Sequence, residues 1–371
     1  MKNKHNSDTS SIMKYRSCTN IQNLNLNILT NYHTSSMYMS YCCDPVKNRP
    51  NVDFRKSGEE SIQSYLLERE ENILESIKFS LLNEDTKIEG RNNTKGCVSC
   101  SRYKLSAWTE PSKKFRYINL SMSPAVCQCK CIYCYQIKMG WHSNSEGVDL
   151  AKQYYDRVFD ALEFAKTDNL ISKDATWQIS SGEIAIHPYK NRIFDLIQGQ
   201  RSKILTNCFI FDKRIADNLS KNVSSTINLS IDSGTAKTWR KVKGFDNFDD
   251  VLENLKKYSQ ACIKPNQVTL KYIVLPDIND NDEDYHGLVK LMTELNIWQV
   301  SISADAGKKY SKDFSYKEKL YEASARLAAI LILNNYEIYF NEDALSSNCI
   351  NSIKAKADEL IKNKHKQYLP Y

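Results

Sequence analysis

The 371-residue chain lacks any long hydrophobic run. Its most apolar stretch, near Leu327 to Leu333, falls far short of the roughly 20 residues that span a bilayer. The start, Met1-Lys-Asn-Lys-His-Asn-Ser, lacks the apolar centre of a secretory signal. Residues 1–56 contain no Glu, and three Asp stand against eight Lys and Arg. This basic leader is sparse and rich in Asn and Ser, which predicts a poorly ordered segment rather than a nucleic-acid arm. No array of stacking aromatics accompanies it, so RNA ranks last among the partner classes. Twelve cysteines without a secretion signal point to metal or redox chemistry in a reducing, cytoplasmic setting rather than to disulfides.

What is present is concentrated in one run, Cys127-Gln-Cys129-Lys-Cys131-Ile-Tyr133-Cys134. It sets three thiols at the spacing C-x3-C-x2-C, with an aromatic residue just before the last. Three thiolates in one loop can hold three irons of a 4Fe–4S cluster and leave the fourth without a protein ligand. An open position is the mark of a metal centre that performs chemistry. A zinc site is the alternative, because cysteines two to four apart are also zinc spacing. A zinc module needs a second Cys/His pair some ~12–20 residues on. Downstream of Cys134, His142 stands alone and the next thiol is Cys208.

The run resembles the signature of the radical S-adenosylmethionine (radical SAM) superfamily, C-x3-C-x-aromatic-C, which lies in the loop after the first barrel strand. The resemblance implies Cys127, Cys131 and Cys134 as ligands of a 4Fe–4S cluster, S-adenosylmethionine on the open iron, and Tyr133 against the adenine. Cys129 falls where the family has no ligand and reads as a spectator.

The remaining pattern agrees with that resemblance. Strands are predicted near 117–122, 175–181, 202–207, 225–231, 268–275 and 298–304, with helices near 149–166, 188–198, 212–219, 247–260 and 282–295. Such alternation predicts parallel βαβ units. Six units match the partial (βα)6 TIM-like barrel that the resemblance implies, an α/β fold with its reactive groups at the carboxyl ends of the strands. The expected organisation is a basic leader over 1–56, a helical segment with C-x2-C over 57–110, the barrel over 111–310, and a C-terminal helix–strand–helix extension over 311–371. Within 57–83, Ile62, Leu66, Ile73, Ile77 and Leu81 recur at helical steps.

Further motifs fall at strand ends. Ser180-Ser181-Gly182-Glu183 resembles the family's Gly-Gly-Glu-Pro turn, which bonds the methionine amino group of the cofactor. Here Ser181 replaces the first Gly and Ile184 the Pro. The resemblance assigns Ser181, Gly182 and Glu183 to that turn. Ser230-Ile-Asp232-Ser233-Gly234, with Arg240 following, resembles a stretch found in peptide-modifying members. It implies Ser230 on the ribose or carboxylate, Arg240 on the carboxylate, and Asp232 as a neighbouring contact. Leu275-Pro276-Asp-Ile-Asn279-Asp280 is expected to border adenine or substrate, and Ser303 and Asp305 alternate along the sixth strand. His187 and His286 read as packing or capping residues.

Cys97 and Cys100 form a C-x2-C pair that, with Cys42, Cys43 or Cys349, could complete a second iron–sulfur or zinc site. Cys349 is the only thiol in the C-terminal region, so the cysteine-rich domain of many peptide maturases is missing. Cys18, Cys208 and Cys262 read as incidental thiols. The expected partners are a peptide or small-molecule substrate, such as a sugar, and a reductase, flavodoxin or ferredoxin as electron donor. No membrane partner is expected. A non-catalytic zinc or iron–sulfur binding protein is the competing class.

Overall fold

The computed structural model describes residues 15–31, 36–41, 51–72, 104–106, 112–121, 125–138, 145–180, 182–308, 312–342 and 344–367. The chain divides into two compact units, residues 1–119 with 160–175 and residues 120–159 with 176–371.

In the first unit the basic leader departs from expectation, because its described residues are built into sheets. β1 (Tyr15–Ser17) pairs antiparallel with β5 (Lys104–Ser106). Between them come α1 (Thr19–Gln22), β2 (Asn25–Asn31), β3 (Ser36–Ser40), β4 (Val52–Asp53) and α2 (Glu59–Leu67). β2 pairs antiparallel with β3, and β3 with β4. The reason is an alternation hidden by polar composition. Leu24, Leu26 and Ile28 are all but fully buried, with Met39 and Phe54, while the intervening Asn27 donates to the Ser40 carbonyl at 3.3 Å. A buried amide is tolerated when it is hydrogen-bonded. α2 starts on Glu59 and Glu60, which complement the helix dipole, and buries Ile62, Tyr65 and Leu66. Ile73, Ile77 and Leu81 lie outside the described residues.

β6 (Phe115–Ser121) leads into the cysteine loop; α3 (Tyr135–Lys138) and α4 (Ser145–Thr167) follow it. The second unit then alternates β7 (Ile171–Ser180), α5 (Lys190–Ile197), β8 (Arg201–Thr206), α6 (Lys213–Lys221), β9 (Thr226–Ser230), α7 (Ala236–Lys243), α8 (Phe248–Ala261), β10 (Val268–Val274), α9 (Asp282–Glu294), β11 (Gln299–Ala304), α10 (Phe314–Leu333), β12 (Glu337–Phe340) and α11 (Ser347–Gln367). Only residues 176–180 of β7 belong to it. The six strands lie in the order β7-β8-β9-β10-β11-β12, every adjacent pair parallel, and the sheet does not close on itself among the described residues. This is the α/β architecture with an open, partial barrel that the sequence predicts. The expected C-terminal extension differs in one respect: β12 joins the sheet in parallel beside β11, so residues 311–371 continue the same strand–helix alternation.

Parallel sheets are normally apolar on both faces. Here one face carries Trp177, Ile204, Ile227, Leu229, Leu270, Tyr272, Val300 and Ile302, all buried. The alternate positions are polar and partly exposed: Gln178, Lys203, Asn228, Ser230, Lys271, Ser301. Register sets Ser230 beside Lys271 and Lys271 beside Ser301. Thr269 donates to Gln299 at 3.1 Å, and Gln299 to Glu337 at 2.8 Å, which links three strands across this polar face.

Candidate active site at the carboxyl ends of the strands

The cysteine loop is gripped at two places. At its start, the Glu183 amide donates to the Val126 carbonyl at 2.8 Å. This approach needs Gly182, whose φ is +63° and whose added Cβ would lie 2.5 Å from the Val126 oxygen and 2.7 Å from the Ala125 Cβ. Only glycine adopts that backbone at such contact without strain. Further on, the amides of Lys130 and Ile132 donate to the carbonyls of Lys243 and Val242, at 2.9 and 3.1 Å. Those are orphan carbonyls at the end of α7, so the loop doubles as the helix's C-terminal partner. Gly244, at φ +77°, closes α7 in the left-handed conformation usual for that position.

Held in this way, Cys127, Cys131 and Cys134 are half-buried, while Cys129 is buried. Interaction with the neighbouring thiols of Cys127 and Cys131 raises the Cys129 pKa strongly. The same interaction lowers the other two: Cys127 falls below its usual value, and Cys131 is pushed down to about 6, helped by the charge of Lys243. Burial raises Cys134. Asn207 Nδ2 adds a donor 3.6 Å from the Cys127 sulfur. Thiolate is the form that ligates metal, so the loop's chemistry suits a metal–sulfur centre. Among the described residues no three His, Cys, Asp or Glu side chains converge on a point for a single metal ion. A 4Fe–4S cluster instead takes each thiolate on a separate iron.

Glu183 is fully buried and turned inward. It accepts from the Ala185 amide at 3.1 Å, Thr206 Oγ1 at 2.9 Å and the Asn207 amide at 2.6 Å. Burial raises its pKa against those donors. The carboxylate thus ties the end of β7 to the end of β8. Ser181 lies outside the described residues, as do Cys42, Cys43, Cys97 and Cys100.

Tyr133 is likewise turned into the protein. Its hydroxyl donates to Asp232 at 2.5 Å and receives Lys243 Nζ at 2.8 Å. Lys243 Nζ also pairs with Asp232 at 2.5 Å, and Asp232 Oδ1 accepts the Ile273 amide at 2.7 Å. Asp232 holds a left-handed φ of 52°. Burial alone would lower the Lys243 pKa, but the charges of Asp232 and Cys131 outweigh it and leave the ammonium raised.

Ser230 lies half-buried on the polar sheet face. Arg240 is not brought to the site: it is exposed and pairs with Asp246 at 3.4 Å. The basic residue that does arrive is Lys243, which the sequence reading missed. Asn279 is buried and spends its side chain on the Leu275 amide and the carbonyls of Asp232 and Ile273, bracing two strand ends. Ser303 and Asp305 are buried at the end of β11, where Asp305 caps the Gly307 amide at 2.8 Å. His187 packs on Tyr155 with ring centroids 5.0 Å apart, and His286 Nδ1 contacts the Asp282 carbonyl at 2.8 Å.

Over residues 123–289 the chain matches the family model described as the radical SAM superfamily. It is similar to the GTP 3′,8-cyclase of Psychromonas ingrahamii, 28% identical over 178 residues, which are 47% of this chain and 49% of the relative. The chain thus spans about half the length of that curated relative. Among solved structures it resembles Streptococcus suis SuiB bound to S-adenosylmethionine, with 14% identity, a TM-score of 0.42, and coverage of 78% of this chain and 68% of that one. It also resembles a radical SAM methyltransferase from Sphaerobacter thermophilus, with 14% identity, a TM-score of 0.38, and coverage of 60% and 68%. No helix among the described residues is long and apolar enough to cross a membrane.

Proposed function

We propose that Cys127, Cys131 and Cys134 hold a 4Fe–4S cluster and that the protein uses it with S-adenosylmethionine to abstract hydrogen from a polar substrate. When bound and reduced by an external donor, the cluster would supply one electron to the sulfonium of S-adenosylmethionine, whose C–S cleavage would give methionine and a 5′-deoxyadenosyl radical able to take a hydrogen atom from substrate. The observation that carries the reading is the cysteine loop itself: three half-buried thiols, two held toward thiolate, braced by the ends of β7 and α7. Gly182 keeps the backbone of the second strand end against that loop, and Ser230 stands on the polar face below it.

A peptide side chain is the first substrate class, on the likeness of the Ser230 to Arg240 stretch to peptide-modifying members. The second is a small polar metabolite, favoured by the polar sheet face with Lys203 and Lys271 and by the cyclase relative, whose name specifies GTP. The electron donor would be a reductase, flavodoxin or ferredoxin.

Anaerobic reconstitution with iron and sulfide should give about four irons per cluster. The reduced protein should then release 5′-deoxyadenosine and methionine, slowly even without substrate. Cys127→Ala, Cys131→Ala and Cys134→Ala should each remove that cluster, whereas Cys129→Ala should keep it. Unchanged iron in the three ligand variants would refute the reading. A second metal site on Cys97 and Cys100 is tested in the triple variant: residual iron or zinc that leaves on changing this pair supports it, and a metal-free triple variant removes it.

A further inference from the structure

We propose that Lys243 is a positioning residue for the cysteine loop: paired with Asp232 and bonded to Tyr133, it locks the Cys131–Cys134 half of the loop and fixes a positive charge beside it. This rests on the reading that the three cysteines carry a cluster.

The side chains of Lys243 and Asp232 are 2% and 0% exposed. Burying two such ions costs several kcal/mol each, and apolar residues of similar volume often serve stability as well or better. Stability is therefore a poor account of the pair, and its connections supply a better one. The ammonium reaches both Asp232 and the Tyr133 hydroxyl, and it stands 5.3 Å from the Tyr133 ring centroid and 5.4 Å from that of Trp239. Tyr133 lies between two of the three thiols in sequence. The backbone carbonyl of the same lysine receives the Lys130 amide. One residue therefore holds the loop twice, by main chain and by side chain.

The charge is also fixed in place. The Lys243 ammonium is held 2.8 Å from the hydroxyl of Tyr133, the residue between Cys131 and Cys134, so a buried positive charge stands beside the loop. In a water-poor setting such a charge is weakly screened. It favours the more negative, reduced state of any metal–sulfur centre held there, since net charge and hydrogen bonding set such potentials. The exposed neighbours Lys237, Arg240 and Lys241 on the same helix have solvent to screen them.

Two measurements on Lys243→Met test this. In the apoprotein, amide hydrogen exchange over residues 126–134 should be at least about tenfold faster than in wild type. In the reconstituted protein, the midpoint potential should move negative by about a tenfold change in the reduction equilibrium, or 59 mV for one electron. Asp232→Asn, which leaves the ammonium uncompensated, should move it the opposite way. A merely structural role would not produce shifts of opposite sign. If Lys243→Met fails to fold, the double variant Lys243→Met with Asp232→Leu, which removes both charges together, takes its place. Exchange and potential both unchanged, in a wild type that binds iron, would overturn the inference alone. A wild type that takes up no iron would instead overturn the cluster reading.

Discussion

Gly234 and Gly287 meet backbone to backbone. A Cβ on Gly287 would lie 2.3 Å from the Gly234 oxygen, and one on Gly234 would lie 2.0 Å from the Asp284 oxygen. This contact seats the loop after β9, which carries Asp232, on the first turns of α9. Asp284, fully buried, completes the joint by accepting from the Gly234 amide at 3.0 Å, Thr235 Oγ1 at 3.0 Å and Thr238 Oγ1 at 2.7 Å.

Gly287 lies inside α9, where alanine would ordinarily gain about 0.5–1 kcal/mol over glycine. Here the sign should reverse, because no flexible side-chain end can yield and two backbones must separate. Gly287→Ala is expected to cost about 3 kcal/mol, near the top of the usual overpacking range. A lower urea midpoint with an unchanged slope would show it. A variant as stable as wild type would mean that the two segments are not packed this closely.

Glu183 should behave as a strut between strand ends. Glu183→Ala removes the acceptor for two backbone amides and a buried hydroxyl. Each donor left unsatisfied costs about 1–3 kcal/mol, so a loss of about 3 kcal/mol or more is expected by denaturant titration. Glu183→Gln keeps an acceptor oxygen and should lose less. If instead both variants keep full stability and lose only S-adenosylmethionine cleavage, the carboxylate acts on the cofactor.

His187 should give the fold a defined acid sensitivity. Burial pushes its imidazole down to about 4, while its Nδ1 accepts from the Tyr189 amide at 3.1 Å, a bond that needs the neutral ring. The folded pKa lies below the unfolded value near 6.5, so this contribution is fully present above about pH 6.5. It is lost as pH falls through about 4, an effect of about 3 kcal/mol. His187→Gln retains an acceptor without titrating. The wild-type minus variant difference in stability should therefore fall on acidification across this window, and a flat difference would count against a neutral buried imidazole.

The parallel strands were legible because each alternates an outward apolar residue with an inward polar one, as in Ile227-Asn228-Leu229-Ser230. The cysteine loop was legible from spacing alone. Lys243 was not, since it follows Lys237, Arg240 and Lys241 in a helix that reads as a uniformly basic surface. What buries it is a carboxylate 11 residues away and a phenol 110 residues away, and no local pattern announces either. Arg240 was chosen for its fork of donors, yet its position on α7 faces water. The leader's strands were hidden for a different reason: Asn25 and Asn27 look like loop residues until their amides find partners, Asn25 on Asn20 of α1 and Asn27 on the Ser40 carbonyl across the sheet.

The sheet ends at β12, a strand of four residues with Glu337 and Tyr339 exposed. In the strand order it has β11 on one side and, among the described residues, no further strand on the other. A long, apolar margin of unsatisfied amides and carbonyls would invite the same margin of another molecule. Four residues offer too short a template, a carboxylate stands on it, and left-handed Asn335 turns the chain just before it. This margin of the sheet thus gives the backbone of a second molecule little to pair with.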